Sequence, residues 1–175
     1  MEKIKPLDEN RKTFFPNKLT ELGLTGTGVE IGTLYGEFAY RILKDSKLSK
    51  LYCVDCWEYE HKGRTGDEQR SITKARLKGF DNRAITLKMR SSEAAPLFND
   101  GSLDFVYIDA NHSYESIKED LGLWYPKMKT HSIFAGHDFS TQHESVIKAV
   151  SEFQCPYELN ILYGDKNESW YYIIK

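Results

Sequence analysis

The sequence predicts an α/β chain built on a doubly wound, seven-stranded, mostly parallel sheet, with helices on both faces and a C-terminal antiparallel hairpin. Three observations carry this. Short apolar runs alternate with helical patterns as far as residue 153, the rhythm of strand–helix units that build parallel sheets. The runs are almost continuously apolar, as strands covered on both faces are. Beyond residue 153 the rhythm changes: strands at 157–163 and 170–174 flank Gly164-Asp165-Lys166-Asn167-Glu168, a hairpin-length turn with no helix between them.

In chain order, residues 1–14 are polar and expected to be loosely docked, which leaves residues 15–175 as one domain. Residues 16–22 read as a short helix, with Pro16 suited to its first turn. The chain then turns into a first strand over 28–31. After Gly36, the residues Phe38, Ala39, Ile42 and Leu43 recur at helical spacing, an apolar stripe that faces a sheet. Residues 51–54 form a second strand. The loop 56–68 is rich in aromatic and charged residues, and a helix follows to about residue 78. A third strand at 84–89 leads to a short helix at 92–97, capped by Ser91 or Ser92. The fourth strand, 103–108, ends at Asp109, and a helix over 114–124 stops before Pro126. The fifth strand, 132–135, runs into Gly136-His137-Asp138, and a helix over 144–153 follows.

A length of 175 residues suits one core. Hydrophobic residues make up 40% and aromatics 13%, too apolar for a disordered chain. A net charge of −2 gives no general electrostatic grip on nucleic acid. No run reaches the roughly 20 apolar residues of a membrane span, and Met1-Glu2-Lys3-Ile4-Lys5-Pro6 lacks the apolar centre of a secretory signal. A cytoplasmic protein is expected. Three cysteines, an odd number, do not suggest a disulfide framework. Cys53-Val54-Asp55-Cys56 spells C-x-x-C, but its first cysteine lies inside an apolar strand rather than at a helix start, so packing is the better reading.

Candidate functional residues gather at strand ends. Val29-Glu30-Ile31-Gly32-Thr33-Leu34-Tyr35-Gly36 describes a tight strand-to-helix turn in which glycine permits close approach. Asp55, about 20 positions later, is placed to accept hydrogen bonds from a ribose. Together they predict a nucleoside-containing cofactor. The pattern E-x-G-x-x-x-G lacks the middle glycine of a dinucleotide loop, and Leu34 and Tyr35 would crowd a pyrophosphate. A cofactor without phosphates therefore suits the turn better, and a nicotinamide enzyme is the weaker reading. Asp55-Cys56-Trp57, Asp109-Ala110-Asn111-His112 and His137-Asp138 follow strands two, four and five, at the edge where such sheets bind ligands. Asp55 is alternatively only a turn cap. Glu30 either pairs with backbone donors or contacts a cofactor amine. His112 is a general base or a helix cap. His61, His131 and His143 show no partner in sequence and read as surface. The loop over 61–66 either closes over substrate or stays solvated.

Four segments, Gly26-Thr27-Gly28-Val29-Glu30-Ile31-Gly32, Val54-Asp55-Cys56-Trp57, Val106-Tyr107-Ile108-Asp109-Ala110-Asn111-His112 and Ala135-Gly136-His137-Asp138-Phe139, resemble the class I S-adenosylmethionine-dependent methyltransferases. The chain is most similar to the small bacterial branch of sugar and macrolide O-methyltransferases, over residues 13–175. The resemblance implies their Rossmann-like fold and S-adenosylmethionine as cofactor. It assigns Glu30, Gly32, Thr33 and Gly36 to the methionine part, and Asp55 to the ribose hydroxyls with Cys56 beside it. Trp57 would lie against the adenine, Ser91 or Ser92 would touch the adenine ring, and Asp109 would sit beside the reacting methyl group. Relatives that methylate hydroxyls hold a divalent ion with an aspartate after strand four and an acidic pair after strand five. Those positions are Asp109 and His137-Asp138 here, which implies Mg²⁺, Mn²⁺ or another divalent ion held with His137 in place of an acid. The implied activity is methylation of a hydroxyl on a small molecule or sugar. Asp109 and Asp138 would orient the acceptor, and His112 or His137 would take its proton. The alternative is a catalytically silent domain of the same fold that binds the cofactor or a partner, because the chain spans little more than the core; a homodimer or a partner protein would then complete the pocket.

Overall fold

The computed structural model of the chain describes residues 10–80, 82–164 and 167–175. Seven strands form one sheet: β1 (Thr27–Ile31), β2 (Lys50–Asp55), β3 (Ala84–Lys88), β4 (Leu103–Ile108), β5 (Met128–Gly136), β6 (Asn160–Leu162) and β7 (Ser169–Ile174). Their order is β3-β2-β1-β4-β5-β7-β6. The first five pair in parallel, and β7 runs antiparallel to β5 and β6. The winding direction reverses between β1 and β4, which opens a crevice at their carboxyl ends. This is the doubly wound sheet that the sequence predicts.

The helices are α1 (Arg11–Glu21), α2 (Glu37–Asp45), α3 (Gly66–Leu77), α4 (Ser91–Ala94), α5 (Tyr114–Trp124) and α6 (Glu144–Glu152). Alternation along the strands sorts the core into two layers. Val106 and Ile108 of β4 face the layer holding Ile117, Leu121 and Trp124 of α5 and Val146 and Val150 of α6. Phe105 and Tyr107 face the other layer, with Phe15 and Leu19 of α1 and Phe38, Ala39, Ile42 and Leu43 of α2. The stripe read from α2 is buried as expected. No helix among the described residues is long and apolar enough to cross a membrane.

Element ends differ from the sequence reading in four places. α1 begins at Arg11, not Pro16: Asn10 accepts a hydrogen bond from Lys12 N–H at 3.0 Å, and Pro16 lies inside the helix. Phe15 is buried there, so residues 11–14 are docked by the aromatic cluster that their neighbour enters; residues 1–9 lie outside the described residues. β5 is longer than expected because its register against β4 shifts between Leu103 and Phe105. The polar Lys129-Thr130-His131 stretch bulges there, and His131 takes a φ of 57°. β6 is only three residues long, an edge strand shorter than its apolar run. α4 starts at Ser91 with Arg90 as its cap, and the Arg90 N–H donates to Glu93 at 2.9 Å. The expected turn before β7 includes Asp165 and Lys166, which lie outside the described residues.

Candidate active site

The turn from β1 into α2 is a built cradle. Gly32 has a φ of 87°, and a Cβ there would stand 1.9 Å from the Asp109 carbonyl oxygen, so only glycine lets the ends of β1 and β4 come this close. Leu34 is also left-handed, with a φ of 50°. Its conformation is held from three sides: its N–H donates to Asp55 Oδ2 at 2.8 Å, and its carbonyl accepts from Trp57 Nε1 at 2.9 Å and Thr73 Oγ1 at 2.7 Å. Asp55 Oδ1 accepts from Trp57 N–H at 2.8 Å. Asp55 thus ties two loops together while each oxygen keeps acceptor capacity for a ligand hydroxyl. Burial pushes its carboxyl upward in spite of these two donors.

Glu30 is 3% exposed, and its Oε2 has no hydrogen-bond partner among the described residues. Burial pushes its pKa up to about 8. An acid held in this way is ready to receive a cationic or hydrogen-bonding ligand group.

Across the crevice, six titratable side chains converge. Asp109 Oδ2 pairs with Arg11 Nη1 at 2.6 Å, and its Oδ1 lies 3.7 Å from His137 Nδ1 and 4.0 Å from His112 Nε2. Asp138, with a φ of 59°, places Oδ2 2.9 Å from His112 Nε2 and 3.3 Å from His137 Nδ1. Its Oδ1 lies 3.4 Å from His143 Nε2 and accepts from Asn167 Nδ2 at 2.8 Å. Burial works to raise both carboxyls, but the imidazoles outweigh it: Asp138 titrates well below the usual range, and Asp109, also beside Arg11, below it. Burial works against a charged His137, yet its two carboxylate partners raise it to about 9. His112 is raised by its contact with Asp138.

These two halves border one cavity of about 870 Å³. Of the sequence-predicted residues, Glu30, Gly32, Thr33, Asp55, Cys56, Ser91, Ser92, Asp109 and His112 line it. Gly36, Trp57, His137 and Asp138 do not. Gly36 begins α2 in a left-handed conformation. Trp57 is 2% exposed, and its ring is spent beneath the Leu34 turn instead of presenting a stacking face. The Ser91 hydroxyl is committed to Asp120 and accepts from Trp124 Nε1 at 2.7 Å. His137 and Asp138 support the wall from behind.

Sequence reasoning missed four participants. Arg11 lies in the cavity wall and also over the rings of Phe38 and Tyr107; its signal was helical spacing, four residues before the core residue Phe15. Asp120, raised by burial to about 6, interrupts the apolar face of α5 at Ile117, Leu121 and Trp124. His143, read as surface, faces Asp138. His61, read the same way, contacts the Tyr35 hydroxyl through Nδ1 at 3.2 Å, which docks the charged loop on the cavity rim. No local pattern marks either histidine.

The expected metal set, Asp109, His137 and Asp138, does bring its ligand atoms within 4.8 Å of one another. One donor is an imidazole nitrogen, however, and the Arg11 cation already occupies Asp109 Oδ2. Mg²⁺ demands octahedral oxygen ligands, and Mn²⁺ also favours carboxylate, carbonyl and water. With an imidazole among three donors and Arg11 on Asp109, these residues do not fit Mg²⁺.

Residues 29–139 match the family model described as a methyltransferase domain. No curated protein sequence matches the chain. Among solved structures it is similar to an O-methyltransferase from Bacillus cereus in complex with SAH, at 11% identity and a TM-score of 0.73, covering 97% of this chain and 84% of that one. A methyltransferase from Geobacter sulfurreducens gives 11% identity and a TM-score of 0.66 over 95% and 80% of the two chains. A SAM-dependent O-methyltransferase from Thermotoga maritima gives 11% and 0.64 over 99% and 68%. At these identities the likeness establishes the fold, a Rossmann-like sheet. The matched segment runs from the Glu30 turn through Asp109 to Asp138, the stretch that supplies most of the cavity wall, and by it the chain belongs to the methyltransferase-domain family.

Proposed function

We propose that this chain transfers the methyl group of S-adenosylmethionine to a hydroxyl oxygen of a small molecule or sugar. The observation that carries the reading is one cavity bordered by the Gly32 turn, Glu30 and Asp55 on one side and by Asp109 with His112 on the other. Asp55 accepts from the ribose hydroxyls and Ser92 borders the adenine end. The methionine part lies along Gly32 and Thr33, and Glu30 receives its ammonium group.

The acceptor oxygen attacks the methyl carbon, the carbon–sulfur bond breaks with its electron pair to sulfur, and S-adenosylhomocysteine leaves. Alignment of oxygen, carbon and sulfur supplies much of the rate. His112 takes the acceptor proton. Its Nε2–H is held against Asp138 Oδ2, so Nδ1 is the accepting atom, the division of labour of an aspartate-oriented imidazole. His137, charged between two carboxylates, fixes Asp109 and Asp138 in place and is a positioning residue. No step is assigned to Mg²⁺.

Titration calorimetry with S-adenosylhomocysteine, followed by product formation with a panel of hydroxyl acceptors in the presence of chelator, tests this. Micromolar binding that Asp55→Ala weakens about tenfold or more, with turnover that His112→Ala lowers by roughly 10²–10⁴, is expected. Absence of binding, or full turnover in His112→Ala, would refute the corresponding assignment.

A further inference from the structure

His143 has no part in the chemistry above, yet it is aimed at the same carboxylate as His112. Three separate segments meet here: His112 in the loop after β4, Asp138 after β5, and His143 immediately before α6. His112 Nε2 stands 2.9 Å from Asp138 Oδ2, and His143 Nε2 stands 3.4 Å from Asp138 Oδ1. The two imidazoles meet edge to face with centroids 4.6 Å apart, and the three donor atoms lie within 4.8 Å of one another. Donors around a tetrahedral ion with bonds of about 2 Å stand roughly 3.3 Å apart. The two histidine–carboxylate distances, each to a different oxygen of Asp138, bracket that spacing.

The surroundings are those of a supported ligand group. Asn167 Nδ2 donates to Asp138 Oδ1 at 2.8 Å, the kind of outer contact that orients a ligating carboxylate. Asn167 Oδ1, and Ser140 Oγ two residues along from Asp138, are buried without hydrogen-bond partners among the described residues. Ser145 Oγ donates to the His112 carbonyl at 2.5 Å, tying the start of α6 to the His112 loop. The His112 and His143 side chains keep 37% and 26% of their exposure, which leaves an entry path and an open fourth position for water.

We propose that His112, Asp138 and His143 bind a borderline divalent transition-metal ion, Zn²⁺ or its neighbours Co²⁺ and Ni²⁺, through two Nε2 atoms and one carboxylate. Imidazole suits these ions, whereas Mg²⁺ requires an oxygen shell that this group does not offer. With the ion bound, His112 carries its ring proton on Nδ1 and no longer offers a basic nitrogen, so the ion-bound state is one in which the base of the proposed transfer is blocked. The site shares only Asp138 with the Asp109-His137-Asp138 set, and both of its imidazoles are different.

The test is calorimetric titration of the chelator-treated full chain with Zn²⁺ alone and with Mg²⁺ alone, together with visible absorption on adding Co²⁺. The expected result is one Zn²⁺ per chain, no heat from Mg²⁺ and an intense four-coordinate Co²⁺ band. His143→Ala lowers Zn²⁺ affinity about tenfold or more, while His131→Asn, an exposed histidine in the β5 bulge, leaves it unchanged. Circular dichroism checks that each variant is folded, and His143→Gln serves if alanine unfolds the start of α6. The proposal is overturned if the wild type binds no Zn²⁺, or if the His143 variants bind as tightly as the wild type. It also fails if His137→Ala abolishes binding that the His143 variants retain, which would place the ion on the other set. None of these readouts uses methyl transfer, so the metal site is tested apart from the acceptor chemistry although both draw on His112.

Discussion

Glu30 is where a single side chain most plainly couples burial to function. Its pKa is raised from 4.5 to about 8 by burial, so the folded protein keeps this proton to higher pH than the unfolded chain does. Stability linked to Glu30 is therefore fully present below pH 4.5 and falls as pH rises through about 8, by on the order of a few kcal/mol. Urea denaturation across that window should show the loss in the wild type and a flatter profile in Glu30→Gln; identical profiles would remove the linkage. His112 has the opposite consequence for rate. Asp138 raises its pKa above 6.5, and only the neutral ring accepts a proton, so kcat/KM should climb as pH passes through a value above 6.5. His112→Ala should lose that limb of the pH–rate profile. Both residues were legible in sequence as candidates, Glu30 because an acid interrupts an apolar strand. Which proton each carries was not, because that depends on groups far along the chain, Asp109 acting on Glu30 and Asp138 on His112.

At the scale of elements, the β1–α2 turn and α3 act as one unit. Thr73 and Arg76 of α3 both donate to carbonyls of the turn, those of Leu34 and Tyr35. α3 is itself started by a capping box, in which Thr65 N–H donates to Glu68 Oε2 at 2.7 Å and Glu68 N–H donates to Thr65 Oγ1 at 3.4 Å. Thr65→Ala should cost about 1 kcal/mol in chemical denaturation and weaken S-adenosylhomocysteine binding through the turn. Gly32→Ala is the harsher change, because a Cβ would meet the Asp109 carbonyl at 1.9 Å in a left-handed backbone. A loss of about 3 kcal/mol or more, or failure to fold, is expected on expression and denaturation. The glycine turn was readable from Gly32 and Gly36 alone. Its support by α3 was not, since Thr73 and Arg76 lie 39 and 41 positions from the carbonyls they meet.

For the whole molecule, α1 joins the chain's beginning to the end of β4. Phe15 packs on Phe38, Phe105 and Tyr107, and Arg11 reaches past them to Asp109. Arg11→Ala leaves the Asp109 carboxylate without this cation in a partly covered site. It should cost about 1–3 kcal/mol in thermal or urea unfolding and move Asp109 back up toward the usual carboxylate range, measurable by carbon-13 NMR of its side chain. Unchanged stability and titration would mean that the pair is incidental. The sequence reading, which left residues 1–14 as a polar segment, did not place this contact: Arg11 looks solvated until the aromatic layer beneath α1 is assembled.

Taken by itself, the sequence determined the strand–helix rhythm, the closing antiparallel pair, and the common edge at which Glu30, Gly32, Asp55, Asp109, His112 and Asp138 fall. Those features follow from local periodicity and from glycine's missing Cβ, and both are written in neighbouring residues. Only the tertiary structure decided that Trp57 is buried beneath a turn, that Ser91 is spent on Asp120, and that Arg11 and His143 face the two carboxylates. Each of these is a contact between segments far apart in the chain, set by the parallel register of β1, β4 and β5, and a side chain's partners there depend on which strand ends the fold brings side by side.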